Sequence, residues 1–216
     1  MSRLEYPLPT EGRDTNEILR ESEDFFFGRG AVHTTLRTLA RRLGEESIPY
    51  AVLGGMALNL LGYRRETVDV DILTTAQGLD LFHSRMVGRG YRPAFSGARK
   101  TFRDTETGVK VEVITTGEYP GDGKPKPVSF PDPSSASVDR GGYRVIAPEK
   151  LVELKLASGL SAPHRQLIDL ADVQRFIEEV RLPLEFAEKL DASVREEYRR
   201  LWELAQHTHE GPGERG

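Results

Sequence analysis

Residues 52–73 read VLGGMALNLLGYRRETVDVDIL, and their pattern predicts three successive elements of secondary structure. The apolar segment Ile48–Leu53, which overlaps the start of this stretch, is typical of a short buried strand. The glycine pair at positions 54 and 55 breaks that strand, and the following MALNLLG is typical of a short helix. Thr67–Thr74 then alternates polar and β-branched residues, which predicts a second strand.

Sequence on either side of this stretch adds further helices and strands. A helical period runs through Ala31–Glu46, and another helix is predicted at Ala76–Gly88. The segments Arg99–Asp104 and Val109–Thr115 predict a β-hairpin that turns across Thr105–Gly108. Both sides of the stretch therefore favour an α/β (α+β) fold, with a mixed sheet flanked by helices.

Later residues predict a long loop and then a helical region. Residues 117–142 are rich in Gly, Pro, Ser and Asp, which indicates a loop of a length that is usually functional or mobile. Tyr143–Ala147 predicts one more strand, and Pro148 is suited to the first position of a helix. The remainder, to about residue 207, is helical by period and composition.

Composition limits the class of protein. The chain has 216 residues, of which 38% are hydrophobic and 30% charged, as is ordinary for a globular domain. It has no cysteine, which excludes disulfides and thiolate metal sites. No apolar run approaches the roughly 20 residues that cross a bilayer, and the first residues lack the apolar region of a secretory signal. We therefore expect a cytoplasmic protein with no membrane contact, and its net charge of -4 gives no overall attraction to nucleic acid.

Two aspartates on the second predicted strand suggest a metal site. Asp69 and Asp71 are two residues apart, so both side chains leave the same face of the strand, while Val68, Val70 and Ile72 are predicted to face the core. Carboxylates on one face repel each other, and hard cations such as Mg²⁺ or Mn²⁺ relieve that repulsion. Solvent-facing aspartates on an edge strand would give the same string, so that alternative stays open.

The predicted hairpin supplies a third carboxylate. In the segment KVEVI, Val111 and Val113 are predicted to face the core, while Glu112 faces the other side. Adjacent strands lie about 4.8 Å apart, so Glu112 is within reach of a metal held by Asp69 and Asp71. Three carboxylates on neighbouring strands suit a site with two metal ions about 3.5–4 Å apart. The alternative is an outward glutamate on a solvated strand face.

Gly54 and Gly55 lie between a strand and the start of a helix. Glycine lets the backbone approach a ligand closely, and the first N–H groups of a helix are free to bind a phosphate. The pair therefore predicts a phosphate contact, and the alternative is a tight turn without a ligand.

Residues 52–73 resemble the signature of the DNA polymerase β-like nucleotidyltransferase superfamily. That signature consists of an apolar strand, G-G or G-S, a short helix, and D-x-D or D-x-E between apolar residues. Thirteen residues separate Gly55 from Asp69, which is the usual gap in the family. The family's third carboxylate, commonly an aspartate, maps onto Glu112, so the resemblance covers about residues 48–115.

This resemblance implies a reaction and a cofactor. Nucleoside monophosphate is transferred from an NTP, such as ATP, to an acceptor hydroxyl, and pyrophosphate is released. Asp69, Asp71 and Glu112 are the implied catalytic and metal-binding residues, with Mg²⁺ or Mn²⁺ as the cofactor. The implied nucleotide-binding residues nearby are Gly54, Gly55, Arg64 and Arg65.

A second resemblance covers PEKLVELKLASGLSAPHRQLIDLADVQ, residues 148–174. It is similar to the C-terminal motif of the abortive-infection type of nucleotidyltransferase toxin and its uncharacterised relatives. One helix of that motif carries K-L, and the next carries an arginine before D-x-x-D; these map onto Lys155, Arg165, Asp169 and Asp172. The resemblance implies nucleotide binding by Lys155 in the cleft beside Asp69, and a positioning or catalytic carboxylate at Asp169 or Asp172. A lysine reaching out to solvent and a solvated Asp172 are the alternatives.

The two resemblances together predict the organisation and partners of the chain. Residues 1–147 are the expected catalytic domain with an N-terminal arm and helix, residues 148–210 a helical part, and residues 211–216 a flexible tail. The expected acceptor is RNA such as tRNA, or a small molecule such as an antibiotic, and the toxin resemblance adds an antitoxin partner. A binding module with a degenerate site and a D-x-D glycosyltransferase remain as alternatives, although the G-G helix argues against the latter.

Overall fold

A computed structural model describes Asp24 and residues 28–207 of the chain. The predicted N-terminal arm, residues 1–13, and the predicted tail, residues 211–216, lie outside this part. Among the described residues, no helix combines the length and apolar character needed to span a membrane.

A seven-stranded mixed sheet forms the centre of the protein, in the order β3-β4-β5-β2-β1-β7-β6. Strand β2 pairs in parallel with β5 and antiparallel with β1, so it lies inside the sheet. The edge-strand alternative for the two aspartates is therefore wrong. The strands are β1 (Tyr50–Val52), β2 (Asp69–Thr74), β3 (Tyr91–Pro93), β4 (Thr101–Asp104), β5 (Lys110–Thr115), β6 (Ser137–Arg140) and β7 (Tyr143–Ile146).

Helices precede, connect and follow the strands. Helix α1 buries Leu36, Leu39 and Leu43, which recur at the three- and four-residue spacing of one helix face. Pro148 is the first residue of α4, as the sequence predicts. The helices are α1 (Ala31–Glu45), α2 (Gly54–Leu60), α3 (Ala76–Arg85), α4 (Pro148–Ser161), α5 (Pro163–Val180) and α6 (Arg195–His207), with short 3₁₀ helices at Leu184–Lys189 and Ala192–Val194.

The predicted α/β fold is confirmed, but two strands were missed. Strand β3 was assigned to no element, and β6 lies inside the predicted loop of residues 117–142. Both strands are at the outer edges of the sheet. An edge strand buries little of its surface, and the β6 sequence SVDR has no apolar alternation, so its pairing with β7 left no signal in the sequence.

Alternation along the two carboxylate strands is confirmed with one exception. Val70, Ile72, Val111 and Val113 are at most 1% exposed, as predicted, whereas Val68 is 79% exposed. Strand β2 begins at Asp69, so Val68 precedes the ladder and its side chain is not held to the alternation of the pleat. The prediction that Val68 faces the core is wrong.

Residues on both sides of position 147 share one hydrophobic core. Val52 and Val113 of the sheet belong to the same buried cluster as Leu156 of α4 and Phe176 of α5. Gly159 permits the close approach of α4 and α5, because a Cβ there would lie 2.9 Å from Leu170 Cδ2. The boundary at 147 coincides with the end of the sheet, and its role as a domain boundary stays a prediction.

Candidate active site

The pairing of β2 with β5 brings the three predicted carboxylates together. Their parallel register aligns Asp71 with Glu112 and Asp69 with Lys110. Carboxylate oxygens of Asp69, Asp71 and Glu112 lie within 4.8 Å of one another, and all three side chains are half-buried. We call these three residues the carboxylate triad.

Gly54 makes room for one member of the triad. Its φ is +61°, a conformation that favours glycine, and a Cβ there would lie 2.0 Å from Asp71 Oδ2. The backbone of Leu53 also donates a hydrogen bond to the carbonyl oxygen of Asp71, at 2.8 Å. A Cβ on Gly55 would lie 2.8 Å from Thr67 Cβ. Packing within the protein thus requires both glycines, and the predicted phosphate contact remains a prediction.

Charge is unevenly compensated at the triad. Burial, and then the neighbouring charges of Asp69 and Glu112, raise the pKa of Asp71 to about 7. The Lys110 ammonium lies 3.1 Å from Asp69 Oδ2 and 3.1 Å from Glu112 Oε2. Partial burial disfavours that ammonium, but its hydrogen bonds to the two carboxylates outweigh the burial and raise the pKa of Lys110.

This donor set fits a divalent cation. The triad offers only carboxylate oxygens, the ligand type that Mg²⁺ and Mn²⁺ prefer. Burial, and after it the charges of Asp69 and Glu112, raise the pKa of Asp71, so the charged form of this carboxylate is disfavoured in the absence of a cation. A bound cation would supply that compensation.

A cleft of about 410 Å³ opens beside two members of the triad, Asp71 and Glu112, while Asp69 is not among its lining residues. Gly54, Asp71 and Glu112 line it, together with Lys155, Arg165 and Asp169 from α4 and α5. The segment between β5 and β6 contributes aromatic and apolar lining, including Tyr119, Pro120 and Phe130.

A lysine fixes that segment to α4. Lys126 Nζ donates to the carbonyl oxygen of Pro120 at 2.6 Å and to Ser161 Oγ at 2.8 Å. Gly121 approaches α4 closely, because a Cβ there would lie 2.9 Å from the backbone of Ser158. Part of the predicted long loop is therefore a fixed wall of the cleft.

Five charged side chains form a second group, which we call the α4–α5 ion cluster. Lys155 Nζ lies 3.1 Å from Asp169 Oδ1 and 2.7 Å from Asp172 Oδ2. Arg65 Nη1 lies 2.5 Å from Asp172 Oδ2, and Arg165 Nε lies 3.0 Å from Asp169 Oδ2. Burial raises the pKa of Asp169, but the charge of Lys155 and the hydrogen bond from Arg165 outweigh it, so the pKa lies below its usual range.

The burial of the cluster excludes both alternative interpretations of residues 148–174. The side chains of Lys155 and Asp172 are 9% and 6% exposed, so a solvated lysine and a solvated aspartate are wrong interpretations. Lys155 lines the cleft, as predicted, but its ammonium contacts Asp169 and Asp172 directly, because α5 packs against α4 and brings these carboxylates to it.

The remaining predicted nucleotide-binding residues lie in different places. Arg64 is exposed, and Arg65 and Asp172 are engaged with each other. Of the predicted nucleotide-binding residues, Gly54 and Lys155 line the cleft. The other four do not: Gly55, Arg64, Arg65 and Asp172. Sequence reasoning gave no role to Lys110, Tyr119 or Phe130. Lys110 could have been found, since it lies two residues before Glu112 and must share its strand face.

Comparison with known proteins finds similar solved structures. No protein-family model matches the chain, and no curated protein matches it. A candidate nucleotidyltransferase from Thermotoga maritima is 22% identical over 73% of this chain and 94% of its own length, with a TM-score of 0.46. An antigenic nucleotidyltransferase-like protein from Paracoccidioides brasiliensis is 18% identical over 67% of this chain and 74% of its own length, with a TM-score of 0.43.

A third similar structure is the antibiotic-resistance factor ANT(2'')-Ia. It is 15% identical over 82% of this chain and 97% of its own length, with a TM-score of 0.48. At these identities the likeness of all three concerns the fold alone.

Proposed function

We propose that the chain is a metal-dependent nucleotidyltransferase, which moves a nucleoside monophosphate from an NTP to an acceptor hydroxyl. The observation that carries the proposal is the carboxylate triad, which is held on one face of two paired strands and has two members, Asp71 and Glu112, in the lining of a cleft. Cations from α4 and α5 line the same cleft, so it combines groups for a metal with groups for an anion.

Asp69, Asp71 and Glu112 are the residues that would hold Mg²⁺ or Mn²⁺. When bound, the metal lowers the pKa of the acceptor hydroxyl and neutralises charge on the triphosphate. Gly54 keeps the Asp71 carboxylate in place by leaving space for it. Glu112 is aligned with Asp71 across the strand pair, and we assign it to the part of the site that receives the acceptor hydroxyl.

Positive charge on the opposite helices would orient the triphosphate. Lys155 and Arg165 line the cleft, and both interact electrostatically with Asp71. Each is paired with Asp169, so each is held in position before the substrate arrives. Preorganised charges of this kind favour a transition state more than flexible ones do. The N–H groups at Gly54 and Gly55 are our proposed further phosphate contacts.

The cleft suits the size and character of a nucleotide. Its volume of about 410 Å³ lies within the range of about 300–1,000 Å³ that is typical of small-molecule sites. Tyr119 and Phe130 offer apolar surface for a planar base. We assign the acceptor to RNA, such as tRNA, on the toxin-like motif of residues 148–174, with a small molecule as the competing acceptor.

Metal-dependent nucleotide binding tests the proposal. Isothermal titration with NTPs, with and without Mn²⁺, should show that the metal raises NTP affinity of the wild type. Asp69→Asn combined with Asp71→Asn should remove this effect. Asp80→Asn combined with Glu106→Gln deletes two exposed charges outside the cleft and should leave it unchanged. NTP binding by the triad variant that still strengthens with Mn²⁺ would refute the site.

Transfer itself requires a labelled substrate. NTPs labelled at the α-phosphate should leave label on an acceptor only when Mg²⁺ or Mn²⁺ is present. An RNA pool and a set of hydroxyl-bearing small molecules, tested in parallel, distinguish the two acceptor classes. Nucleotide binding without any transfer to either would support a binding module with a degenerate site.

A further inference from the structure

A lysine completes a square of charged side chains on the face that bears the triad. Strand β2 presents D-V-D and strand β5 presents K-V-E, and their parallel register pairs Asp69 with Lys110 and Asp71 with Glu112. Residues two apart on a strand share a face. The side chain of Lys110 therefore leaves the sheet on the face that bears the carboxylates.

The ammonium of Lys110 bridges two members of the triad. It lies 3.1 Å from Asp69 Oδ2 and 3.1 Å from Glu112 Oε2, both within ion-pair distance. Thr67 Oγ1 also donates a hydrogen bond to Asp69 Oδ1, at 3.0 Å, which fixes the other oxygen of that carboxylate. Lys110 thus occupies the space between the carboxylates on β2 and β5.

A divalent cation cannot share that space with the ammonium. Mg²⁺ binds carboxylate oxygens at about 2.0–2.1 Å, and two positive charges held by the same carboxylates repel each other. The Lys110 side chain is 36% exposed and its four-carbon stem is flexible, so it can turn toward solvent. The shorter side chains of Asp69 and Asp71 do not have this freedom.

We propose that Lys110 is an internal counter-ion of the carboxylate triad, which a divalent cation must displace in order to bind. This inference rests on the proposed function, because it assumes that the triad is a metal site. Lys110 lowers the repulsion among the carboxylates in the metal-free protein and competes with the metal. A bound triphosphate offers the displaced ammonium a new partner, so nucleotide and metal binding become coupled through Lys110.

Mn²⁺ titration of the full chain without nucleotide tests the inference, with free Mn²⁺ followed by electron paramagnetic resonance. Lys110→Met keeps the stem and deletes the charge. Two partly exposed ion pairs are lost, so Mn²⁺ should bind more tightly than in the wild type, on the order of tenfold. Lys150→Met is the matched control, since Lys150 is 39% exposed and pairs with Glu153 on α4. It should bind Mn²⁺ as the wild type does.

Two further measurements complete the test. The metal-free Lys110→Met protein should melt at a lower temperature than the wild type, and saturating Mn²⁺ should close the gap. NTP should strengthen Mn²⁺ binding more in the wild type than in Lys110→Met. Lys110→Gln, also neutral but polar, should behave in the same way and serves where Lys110→Met fails to fold.

Equal or weaker Mn²⁺ binding by the folded neutral variants, beside measurable binding by the wild type, would overturn the inference and leave the metal site intact. Mn²⁺ binding by the neutral variants, with none by the wild type, would also support the inference, because the Lys110 ammonium would then exclude the metal completely. Absence of Mn²⁺ binding in the wild type and in both variants would overturn the metal site and, with it, this inference.

Discussion

The carboxylate triad and the α4–α5 ion cluster each contribute side chains to one cleft, but they differ in their balance of charge. The triad has three carboxylates, and the ammonium of Lys110 pairs with two of them, Asp69 and Glu112. In the cluster, two carboxylates are surrounded by Lys155, Arg65 and Arg165. The triad is therefore short of positive charge, whereas the cluster is not.

Two aspartates that line the cleft report this difference. The pKa of Asp71 is raised to about 7, because burial and the neighbouring carboxylates both disfavour its charge. Asp169 is also buried, yet Lys155 and Arg165 hold its pKa below the usual range. Burial alone thus does not decide the charge state of a carboxylate. The charges of the cluster are compensated within the protein, whereas a bound cation would supply compensation that the triad lacks.

The largest expected effect comes from the same substitution made in both regions. Asp172→Asn removes one carboxylate that Lys155 and Arg65 share, and should destabilise the metal-free protein by about 3 kcal/mol. Asp71→Asn removes repulsion and should leave stability unchanged or raise it. Urea denaturation measures the stability of both variants. An Asp172→Asn protein as stable as the wild type would contradict the conclusion that Lys155 and Arg65 depend on this carboxylate.

Gly54→Ala should disturb the packing of the α2 start against Asp71 of the triad. The added Cβ would collide with Asp71 Oδ2, and alanine is strained at a φ of +61° by about 1–2 kcal/mol. We expect this loss of stability together with weakened Mn²⁺ binding, followed by denaturation and by titration. Gly44→Ala is the control, because nothing lies within 4 Å of its added Cβ and α1 should gain up to about 1 kcal/mol. Unchanged Mn²⁺ affinity in Gly54→Ala would contradict the role of Gly54 in holding the triad.

The pH dependence of stability sharpens the contrast further. Asp71 has a pKa of about 7 in the folded protein against 3.8 as its ordinary value, so the folded state loses stability as pH rises through this window. Asp71→Asn removes that loss. In metal-free buffer its melting temperature should exceed that of the wild type by more at pH 8 than at pH 5. A difference independent of pH would show that Asp71 keeps an ordinary pKa.

The smallest expected effect is that of Arg165→Gln, and it is compared with Lys155→Met because both cations contact the same carboxylate. Arg165 is 50% exposed and Lys155 is 9% exposed, and both contact Asp169. Arg165→Gln should cost less than about 1 kcal/mol, since solvent screens exposed pairs. Lys155→Met leaves two buried carboxylates with less compensation and should cost about 3 kcal/mol. Equal losses in the free energy of unfolding would show that the difference in burial between Arg165 and Lys155 does not affect their contributions to stability.

The structure also changes what Lys155→Met can show. From the sequence, we expect this variant to keep its stability and to lose nucleotidyl transfer on the order of 10²-fold. The ammonium is buried against Asp169 and Asp172, so loss of activity must now be measured beside stability. A second lysine variant, Lys126→Met, controls for damage to the cleft wall without touching the ion cluster.

The sequence by itself determined the elements that carry the triad. Gly54 and Gly55 mark the break between β1 and α2, because a strand cannot turn sharply into a helix there with bulky residues. The period of two places Asp69 with Asp71, and Glu112 opposite its flanking valines. These are local rules, so they hold wherever the strands lie in the sheet.

Only the tertiary structure decided which of these side chains meet. The parallel pairing of β2 with β5 aligns Asp71 with Glu112 and brings Lys110 among the carboxylates. The contact between Arg65 and Asp172 joins residues 107 positions apart, and no periodicity predicts such a pair. Sheet order and helix packing are set by burial summed over the whole core. Local patterns therefore predicted that Glu112 meets the two aspartates on the neighbouring strand, but not the partners of Lys110 or Arg65.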